Sequence, residues 1–334
     1  MMRKLSYIML FLCLIACNRD TATDKYQNNR NIKVNVKSQI KEIEVNENDV
    51  LIGRTSRVYL LKNYLLITDF RSSGKFIHIF DNLNFKYLGS IGDKGEGPTE
   101  LANPGHIATD PNAGKFYVTD IGKMKIFSFD IDSVLEDPIN YIPRTKVRIN
   151  AENFPTEYEY VSDSLCIGRS IVPIGSGDYA PSVSKWNMIT GEITPLSTKA
   201  PKIAHKRVVC ASSAKYLLAA EIYSFYDLIS IFDFNGNLKC NIHGPEWGNR
   251  VSKKNQYYSW GIFCRDNKFI VSHFDNKTNY PTQLIVFDIN GNYIKTLEIG
   301  YMIQHFCYDE ENDRLIFAFD DDIQFGYLNL NNIL

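Results

Sequence analysis

The sequence repeats a strand–turn–strand unit, and this repeat limits the folds open to the chain more than any other feature. Its clearest copy is residues 283–297, QLIVFDINGNYIKTL, in which apolar and polar residues alternate on both sides of an Asn-Gly step. A second copy spans residues 228–242, LISIFDFNGNLKCNI, and a looser third copy spans residues 75–92. Alternation on both sides of an Asn-Gly pair predicts a β-hairpin.

The strand before each turn ends in two mostly apolar residues and an Asp or Asn, and this ending occurs six times. The six closing residues are Asp81, Asp130, Asn187, Asp233, Asp288 and Asn329. A second strand precedes each of them, at residues 64–69, 115–120, 164–169, 216–221, 268–273 and 314–319. Units of roughly fifty residues with several short strands are typical of propeller blades. The prediction is an all-β, six-bladed β-propeller with four-stranded antiparallel blades, whose strands run A to D from the tunnel outward.

The last blade is short of one strand. After Asn329 the chain has five residues, too few for a fourth strand. Residues 39–46, QIKEIEVN, alternate apolar and polar side chains but belong to no blade of their own. We expect this N-terminal strand to complete the last blade, because a closed ring leaves no open sheet edge at the seam. Residues 38–334 then form one domain.

The first 17 residues have the pattern of a targeting segment. Arg3 and Lys4 precede a short apolar run, which is too short for a confident membrane span. The run ends in Leu-Ile-Ala-Cys at residues 14–17, which resembles a bacterial lipobox. The resemblance implies cleavage before Cys17 and acylation of Cys17 with palmitate-type chains. Residue 18 is Asn rather than the Asp that would indicate retention at the inner membrane, so an outer-membrane lipoprotein on the periplasmic or cell-surface side is expected. An ordinary secretory peptide with a chance cysteine is the alternative. Residues 18–37 are expected to form a flexible tether.

A Gly-Pro loop follows the first unit, at residues 91–100, IGDKGEGPTE. Three glycines and a proline in ten residues indicate a backbone set by turn angles. The loop resembles the Gly-Pro loop of the Bacteroidetes six-bladed β-propeller lipoproteins, and residues 242–245, IHGP, are similar to that family's second Gly-Pro loop. The YVTD…KIFSFD run of the second unit is similar to NHL-type repeats, as in TolB-like propellers. The resemblance implies a fold and a cell-envelope address, and no defined activity.

Composition narrows the classes of partner. A formal net charge of −1 argues against a nucleic-acid-binding protein, which normally has a basic face. No cofactor fingerprint is present, so no cofactor is expected. Five cysteines within the predicted domain are isolated in strand-like segments, which predicts buried free thiols rather than disulfides or a zinc site. They are Cys166, Cys210, Cys240, Cys264 and Cys307.

Loop length selects a functional face. In an antiparallel blade the B-to-C and D-to-next-A connections lie on one face, where the long connections of this sequence fall, and function is usually carried by long loops on a rigid scaffold. We refer to this side as the long-loop face and to the other as the short-turn face. The candidate ligand-binding residues on the long-loop face are Asp69, Arg71, Glu96, Glu100, Asp120, Arg169, Glu221, Tyr223, Trp247, Tyr257 and His273.

Two interpretations of these candidates stay open. The carboxylates of Asp69, Asp120 and Glu221 end B strands, where they could converge at the tunnel mouth or simply cap turns. The aromatic residues between 223 and 260 could form a platform for a sugar or peptide, or fill the gap between blades. His305 and Cys307 share one face of a strand, but a pair does not make a tetrahedral metal site.

The function expected from the sequence is a membrane-anchored binding or scaffold module for a protein, peptide or glycan on the long-loop face. The alternative is a propeller enzyme of the lactonase or glycan-cleaving type, with a metal ion or carboxylates at the tunnel mouth. Fold alone does not choose between them.

Overall fold

Six β-sheets arranged as the blades of a propeller make up the chain, as seen in a computed structural model. The structure describes residues 23–69, 71–175, 178–196, 201, 203, 206–248, 255–275 and 278–334. Residues 1–22, with the predicted targeting segment and Cys17, lie outside the described residues. The predicted six-bladed propeller with four-stranded antiparallel blades is confirmed.

The strands are numbered in chain order. Three short strands come from the N-terminal segment, namely β1 (Asp24–Tyr26), β2 (Lys33–Asn35) and β3 (Lys41–Glu42). Blade 1 comprises β4 (Ser56–Leu61), β5 (Tyr64–Asp69), β6 (Lys75–Asp81) and β7 (Tyr87–Asp93). Blade 2 comprises β8 (Pro104–Asp110), β9 (Lys115–Asp120), β10 (Lys125–Asp130) and β11 (Arg144–Arg148). Blade 3 comprises β12 (Phe154–Ser162), β13 (Leu165–Gly175), β14 (Asp178–Trp186) and β15 (Ile193–Pro195).

The remaining blades follow the same order from the tunnel outward. Blade 4 comprises β16 (Val208–Ser213), β17 (Leu218–Tyr223), β18 (Leu228–Asp233) and β19 (Leu238–His243). Blade 5 comprises β20 (Tyr258–Cys264), β21 (Lys268–His273), β22 (Gln283–Asp288) and β23 (Tyr293–Glu298). Blade 6 comprises β24 (Ile303–Asp309), β25 (Arg314–Phe319) and β26 (Phe325–Asn329), with β3 as its fourth strand.

The N-terminal closure is present. Strand β3 pairs antiparallel with β26, with Lys41 opposite Tyr327 and Glu42 opposite Gly326. The Ile43 amide extends the pairing by donating to the Phe325 carbonyl at 3.0 Å. Ile43 is buried in the core between blades 6 and 1, so the two ends of the chain share one blade.

The tether expected over residues 18–37 is wrong from residue 23 onward. Strand β1 runs parallel to β19 at the outer edge of blade 4, and β2 runs parallel to β23 at the outer edge of blade 5. The side chain of Arg30 lies between these two contacts and is 9% exposed. The segment therefore covers two outer edges whose backbone groups would otherwise face solvent.

The repeated Asp-x-Asn-Gly-Asn turn explains the regular hairpins. Asp288 closes β22, and its Oδ1 accepts hydrogen bonds from the amides of Asn290 and Asn292 at 2.9 and 2.8 Å. Gly291 has φ +83°, a left-handed angle that favours glycine. Asp233 at the end of β18 accepts the equivalent pair of amide bonds in blade 4. The turn residues thus set the C-to-D register locally.

The core lies between blades rather than within them. Strands in the middle of a blade are buried on both faces, as in β17 and β25, because each blade stacks on two neighbours. Apolar clusters fill all six junctions. The cluster between blades 3 and 4 is small, with five buried members, whereas the cluster between blades 4 and 5 has fifteen. The junction of blades 3 and 4 is therefore thinly packed.

Two further expectations concern the thiols and the short-turn face. The five cysteines of the described chain are free, and all but the partly buried Cys307 are buried, as predicted. Burial raises the pKa of the Cys240 thiol to about 11 and of Cys264 to about 12. The short-turn face carries one connection that the sequence did not single out, since α1 (Ile131–Glu136) joins β10 to β11.

Candidate functional site

A pocket of about 400 Å³ opens at the tunnel mouth on the long-loop face. Its walls come from the first residues of several A strands and from the B-to-C connection of blade 4, because these parts of the chain meet on that face. We call it the mouth pocket. It is lined by Arg57, Glu157, Arg169, Arg207, Val208, Val209, Ser224, Phe225, Gln256, Tyr258, Ser259, Trp260, Tyr280, Gln304 and His305.

One buried carboxylate holds two arginines at this mouth. Glu157 on β12 is 5% exposed, and its Oε1 lies 3.2 Å from Arg169 Nη2 and 3.8 Å from Arg57 Nη2. Glu157 and Arg169 are direct partners across the β12–β13 ladder, which brings their side chains together. Arg169 also donates to the Thr156 hydroxyl at 2.8 Å and to the Val208 carbonyl at 2.7 Å. The guanidinium of Arg169 is therefore fixed across the junction of blades 3 and 4.

A third guanidinium stands at the rim. Arg207 is exposed and lies over the Phe225 ring, 5.7 Å from its centroid. Among the described residues that line the mouth pocket, Glu157 is the sole carboxylate. Three guanidinium groups against one carboxylate give the mouth pocket an excess of two positive charges. Such a concave basic surface attracts anions, and planar guanidinium groups suit carboxylate or phosphate oxygens.

A second cavity of about 290 Å³ lies in the tunnel beneath the mouth. We call it the tunnel cavity, and it shares Glu157, Trp260 and His305 with the mouth pocket. Burial lowers the pKa of His106 to about 4, and burial together with the nearby Arg57 charge lowers the pKa of His305 well below its usual value. Both imidazoles are therefore neutral at physiological pH.

A groove of about 750 Å³ continues from the mouth pocket between blades 3 and 4. The long β13–β14 hairpin forms one wall and residues 206–208 form the other, while Arg169, Arg207, Val208 and Phe225 line both spaces. The groove opens at the thinly packed junction described above. A ligand larger than the mouth pocket therefore has room to extend along blade 3.

Of the eleven candidate ligand-binding residues, Arg169 is the one that lines the mouth pocket, and Phe225, Tyr258 and Trp260 of the predicted aromatic platform line it too. Asp69 and Asp120 end B strands, as expected, and both are buried. Asp69 accepts amide hydrogen bonds from Gly53 and Arg71, and Asp120 accepts them from Ala102, Asn103 and Lys123. These carboxylates have the turn-capping role that the sequence left open as an alternative.

The third B-strand carboxylate, that of Glu221, is also bound by neighbouring side chains. Glu221 is buried and pairs with the ammonium of Lys206 at 2.5 Å, while the Tyr223 hydroxyl donates to its other oxygen at 2.7 Å. Asp69, Asp120 and Glu221 do not converge because B strands stand one strand away from the tunnel. No group of three metal-ligating side chains occurs in the described part of the chain.

Most of the predicted aromatic platform packs between blades. Tyr223 and Tyr257 are buried, and the Tyr257 hydroxyl donates to Glu246 at 3.1 Å. Trp247 is partly exposed and packs edge-on against His243, with ring centroids 4.6 Å apart. His273 packs edge-on against Tyr258, with centroids 5.5 Å apart, and burial lowers its pKa to about 4.

The Gly-Pro loop is held by its own Glu100 side chain and by Lys123 from the β9–β10 connection. Glu100 accepts from the Gly97 amide at 2.7 Å, and the Lys123 ammonium donates to the carbonyls of Gly97 and Glu100 at 2.6 and 2.9 Å. Gly92 and Gly95 have φ +82° and +157°, but Gly97 is not among the residues with positive φ, so the strained angle expected there is wrong. Glu96 and Arg71 are exposed, and neither lines the mouth pocket.

Sequence reasoning missed Arg57, Glu157 and Arg207. The signal available in the sequence was a charged residue in an A strand or just before one, because A strands line the tunnel. Using that signal requires the A-strand boundaries, and Glu157 lies three residues inside β12, which begins at Phe154. His305 was noticed only as one member of an incomplete metal pair.

Comparisons with known proteins support the fold. A family described as "6-bladed beta-propeller" (DUF5128) matches residues 41–153, about a third of the chain. No curated protein matches the sequence. A solved member of the DUF4221 family from Bacteroides vulgatus aligns with a TM-score of 0.59 and 13% identity, over 87% of this chain and 98% of its own.

Two further solved structures are equally low in sequence identity to this chain. A luciferin-regenerating enzyme aligns with a TM-score of 0.54 and 10% identity, over 86% of this chain and 93% of its own. The Cps50 (Swd1) propeller domain of Myceliophteria thermophila aligns with a TM-score of 0.53 and 12% identity, over 83% and 96%. At these identities the likeness concerns the fold alone. In the described residues, no helix has the length and apolar character needed to cross a membrane.

Proposed function

We propose that this propeller is a binding protein that takes an anionic ligand at the mouth pocket of its long-loop face. The observation that carries the proposal is the charge of that pocket, which holds Arg57, Arg169 and Arg207 and, among its described lining residues, one carboxylate, Glu157. A propeller fold is a common scaffold for binding, and the pocket volume lies in the range of small-ligand sites.

The arrangement is suited to binding because its charges are held before the ligand arrives. Glu157 fixes Arg169 at 3.2 Å, and the Thr156 and Val208 contacts hold the same guanidinium from two other sides. A fixed guanidinium loses little side-chain entropy when it binds an anion. Arg207 at the rim has no such carboxylate partner among the described residues of the mouth pocket, which leaves its guanidinium able to close on the ligand.

Arg207→Gln is the direct test. Loss of one charged hydrogen-bond donor is expected to weaken binding of small anions by about tenfold or more. Isothermal titration at low salt with phosphate, sulfate, acetate and D-glucuronate measures the effect. Arg71→Gln is the matched control, because Arg71 is an exposed arginine of the same face outside the mouth pocket. Absence of anion binding in the unmodified protein, or an equal loss in both variants, would contradict the proposal.

The same proposal includes a lipid anchor at Cys17, which rests on the lipobox-like run of residues 14–17. Strand β1 runs parallel to β19, whose first residue lies at the short-turn face, so the chain enters blade 4 from that side. Residues 18–22 separate Cys17 from Thr23, and an extended chain of that length reaches about 20 Å. An anchored propeller would then hold its short-turn face near the membrane and turn the mouth pocket away from it.

Cys17→Ala is expected to move the protein from the membrane fraction to the soluble fraction, since stable anchoring requires the acyl chains. Cys13→Ala is the matched control, because Cys13 lies in the same apolar run four residues earlier. Membrane fractionation followed by immunoblotting measures the change. If both variants stay with the membrane as the unmodified protein does, the anchor proposal is wrong.

A further inference from the structure

Besides the Tyr59 hydroxyl in the tunnel cavity, three buried polar atoms at the junction of the two cavities have no hydrogen-bond partner among the described residues. They are Glu157 Oε2, His106 Nδ1 and His305 Nε2. All three side chains are more than nine-tenths buried and line the tunnel cavity, and Glu157 and His305 also line the mouth pocket. A buried polar atom without a partner destabilises a protein by about 1–3 kcal/mol. Three in one place indicate groups reserved for a ligand.

The hydrogen-bond partner of each histidine determines whether its other ring nitrogen is a donor or an acceptor. His106 Nε2 lies 2.7 Å from the Tyr158 carbonyl oxygen, which only accepts, so Nε2 carries the proton and Nδ1 is an acceptor. The Val58 amide donates to His305 Nδ1 at 3.4 Å, so the neutral ring carries its proton on Nε2, which is a donor. Glu157 Oε2 is an acceptor. These three atoms are thus two acceptors and one donor, and the nearby Tyr59 hydroxyl can act as either.

We infer that the ligand of the mouth pocket is a sugar acid, with its carboxylate on the arginines and its hydroxyl groups directed at the free atoms of Glu157, His106 and His305. The inference rests on the proposed function, because it places a carboxylate at the same three guanidinium groups. A hydroxyl both donates and accepts, so a polyhydroxylated ring satisfies all three atoms. Acetate and sulfate carry no proton to donate at neutral pH, so they satisfy neither acceptor.

An ammonium group is a poorer donor for this junction. The two guanidinium groups of Arg57 and Arg169 already lie 3.8 and 3.2 Å from Glu157, and a third cation would be repelled by both. Neutral hydroxyl donors avoid that repulsion. Trp260 lines both cavities and is partly exposed, so its ring offers an apolar surface for the C–H face of a sugar. These features favour a sugar acid over an amino acid.

The probes of the experiment separate charge from hydroxyl recognition. Isothermal titration is run with D-glucuronate, D-galacturonate and D-mannuronate, with the parent hexoses, with cyclohexanecarboxylate and with L-glutamate. At least one hexuronate is expected to bind about tenfold or more tightly than its parent hexose, cyclohexanecarboxylate and glutamate, because one hydrogen bond and one charged contact each contribute about that factor.

A variant tests the tunnel atoms directly. His305→Phe keeps an aromatic ring against Trp260 and removes the Nε2 donor. The variant is expected to weaken hexuronate binding by about tenfold and to leave the affinity for cyclohexanecarboxylate unchanged. His78→Phe is the matched control, since His78 is also a buried histidine whose pKa is lowered to about 4, and it lines neither cavity. Its hexuronate affinity should equal that of the unmodified protein.

The outcomes distinguish the two proposals. If cyclohexanecarboxylate, glutamate or acetate binds as tightly as every hexuronate, or if no hexuronate binds while other anions do, the sugar-acid inference is overturned and the anion-binding function stands. If no anion binds at all, the proposed function fails and the inference fails with it. An equal loss in the His305 and His78 variants also overturns the inference.

Discussion

Deleting residues 1–46 is expected to lower the free energy of unfolding by about 5 kcal/mol or more. The deletion removes β3 and the buried side chains of Val36 and Ile43, which are 0% and 4% exposed, together with the partly buried Ile40. Each buried Val or Ile side chain contributes about 1.5–3 kcal/mol. Loss of β3 also leaves β26 as an open edge on blade 6, which favours association with other chains.

Two shorter deletions are the matched controls. A chain that begins at Thr23 keeps every contact described for the propeller, so its denaturant midpoint should match that of the unmodified protein. A chain that begins at Lys37 loses β1, β2, Arg30 and Val36 but keeps the β3 closure, so its stability should fall between the two. Chemical denaturation monitored by tryptophan fluorescence measures all three. Equal midpoints for the chains beginning at Lys37 and Glu47 would exclude closure by β3 as a source of stability.

The blades could be predicted from the sequence because their signals are local. In B strands such as β5, β9, β21 and β25 the predicted bounds equal the observed ones, since both flanks carry turn residues and the middle of each strand is apolar. The C-to-D hairpins follow from the Asp side chains that cap Asn-Gly turns, which act within five residues. Ring closure followed from counting strands.

The N-terminal edge strands could not be predicted in this way. Strands β1 and β2 have three residues each, and β2 is exposed along its length, so neither has an apolar period. They form because the outer edges of blades 4 and 5 offer unpaired backbone groups, a property of the folded propeller and not of the segment. A polar segment with no period is read as a tether unless its docking surface is known.

The candidate site was only partly predictable for a geometric reason. Loop length selected the face that carries the mouth pocket, but the B-strand carboxylates on that face point into their own turns. The contact between Glu157 and Arg169 arises from cross-strand register, which a bulge between Pro155 and Glu157 shifts by one residue. Such a shift decides which side chain faces the tunnel, and it leaves no clear mark in the sequence.

Arg30→Met is expected to lower the free energy of unfolding by about 3 kcal/mol. Arg30 donates to Asp227 at 3.0 Å and to the Tyr258 hydroxyl at 2.9 Å, and the exposures of the Arg30 and Asp227 side chains are 9% and 2%. Removing the cation leaves the Asp227 carboxylate buried at the junction of blades 4 and 5, and breaking a buried ion pair from one side typically costs about 3–5 kcal/mol. Urea denaturation measures the change.

A double-mutant cycle separates the ion pair from the loss of packing. Asp227→Asn alone removes the charge that Arg30 faces. In the Arg30→Met background the same change should restore about 1–2 kcal/mol of the free energy of unfolding, because burying a neutral amide costs less hydration free energy than burying a carboxylate. Lys33→Met is the matched control on the same segment, since its 3.8 Å pair with Glu298 is exposed and contributes about 0–1 kcal/mol. Two results together would contradict this prediction: additive changes in the free energy of unfolding across the cycle, and a loss for Arg30→Met no larger than that for Lys33→Met. Residues 23–36 would then contact blades 4 and 5 without stabilising the junction between them.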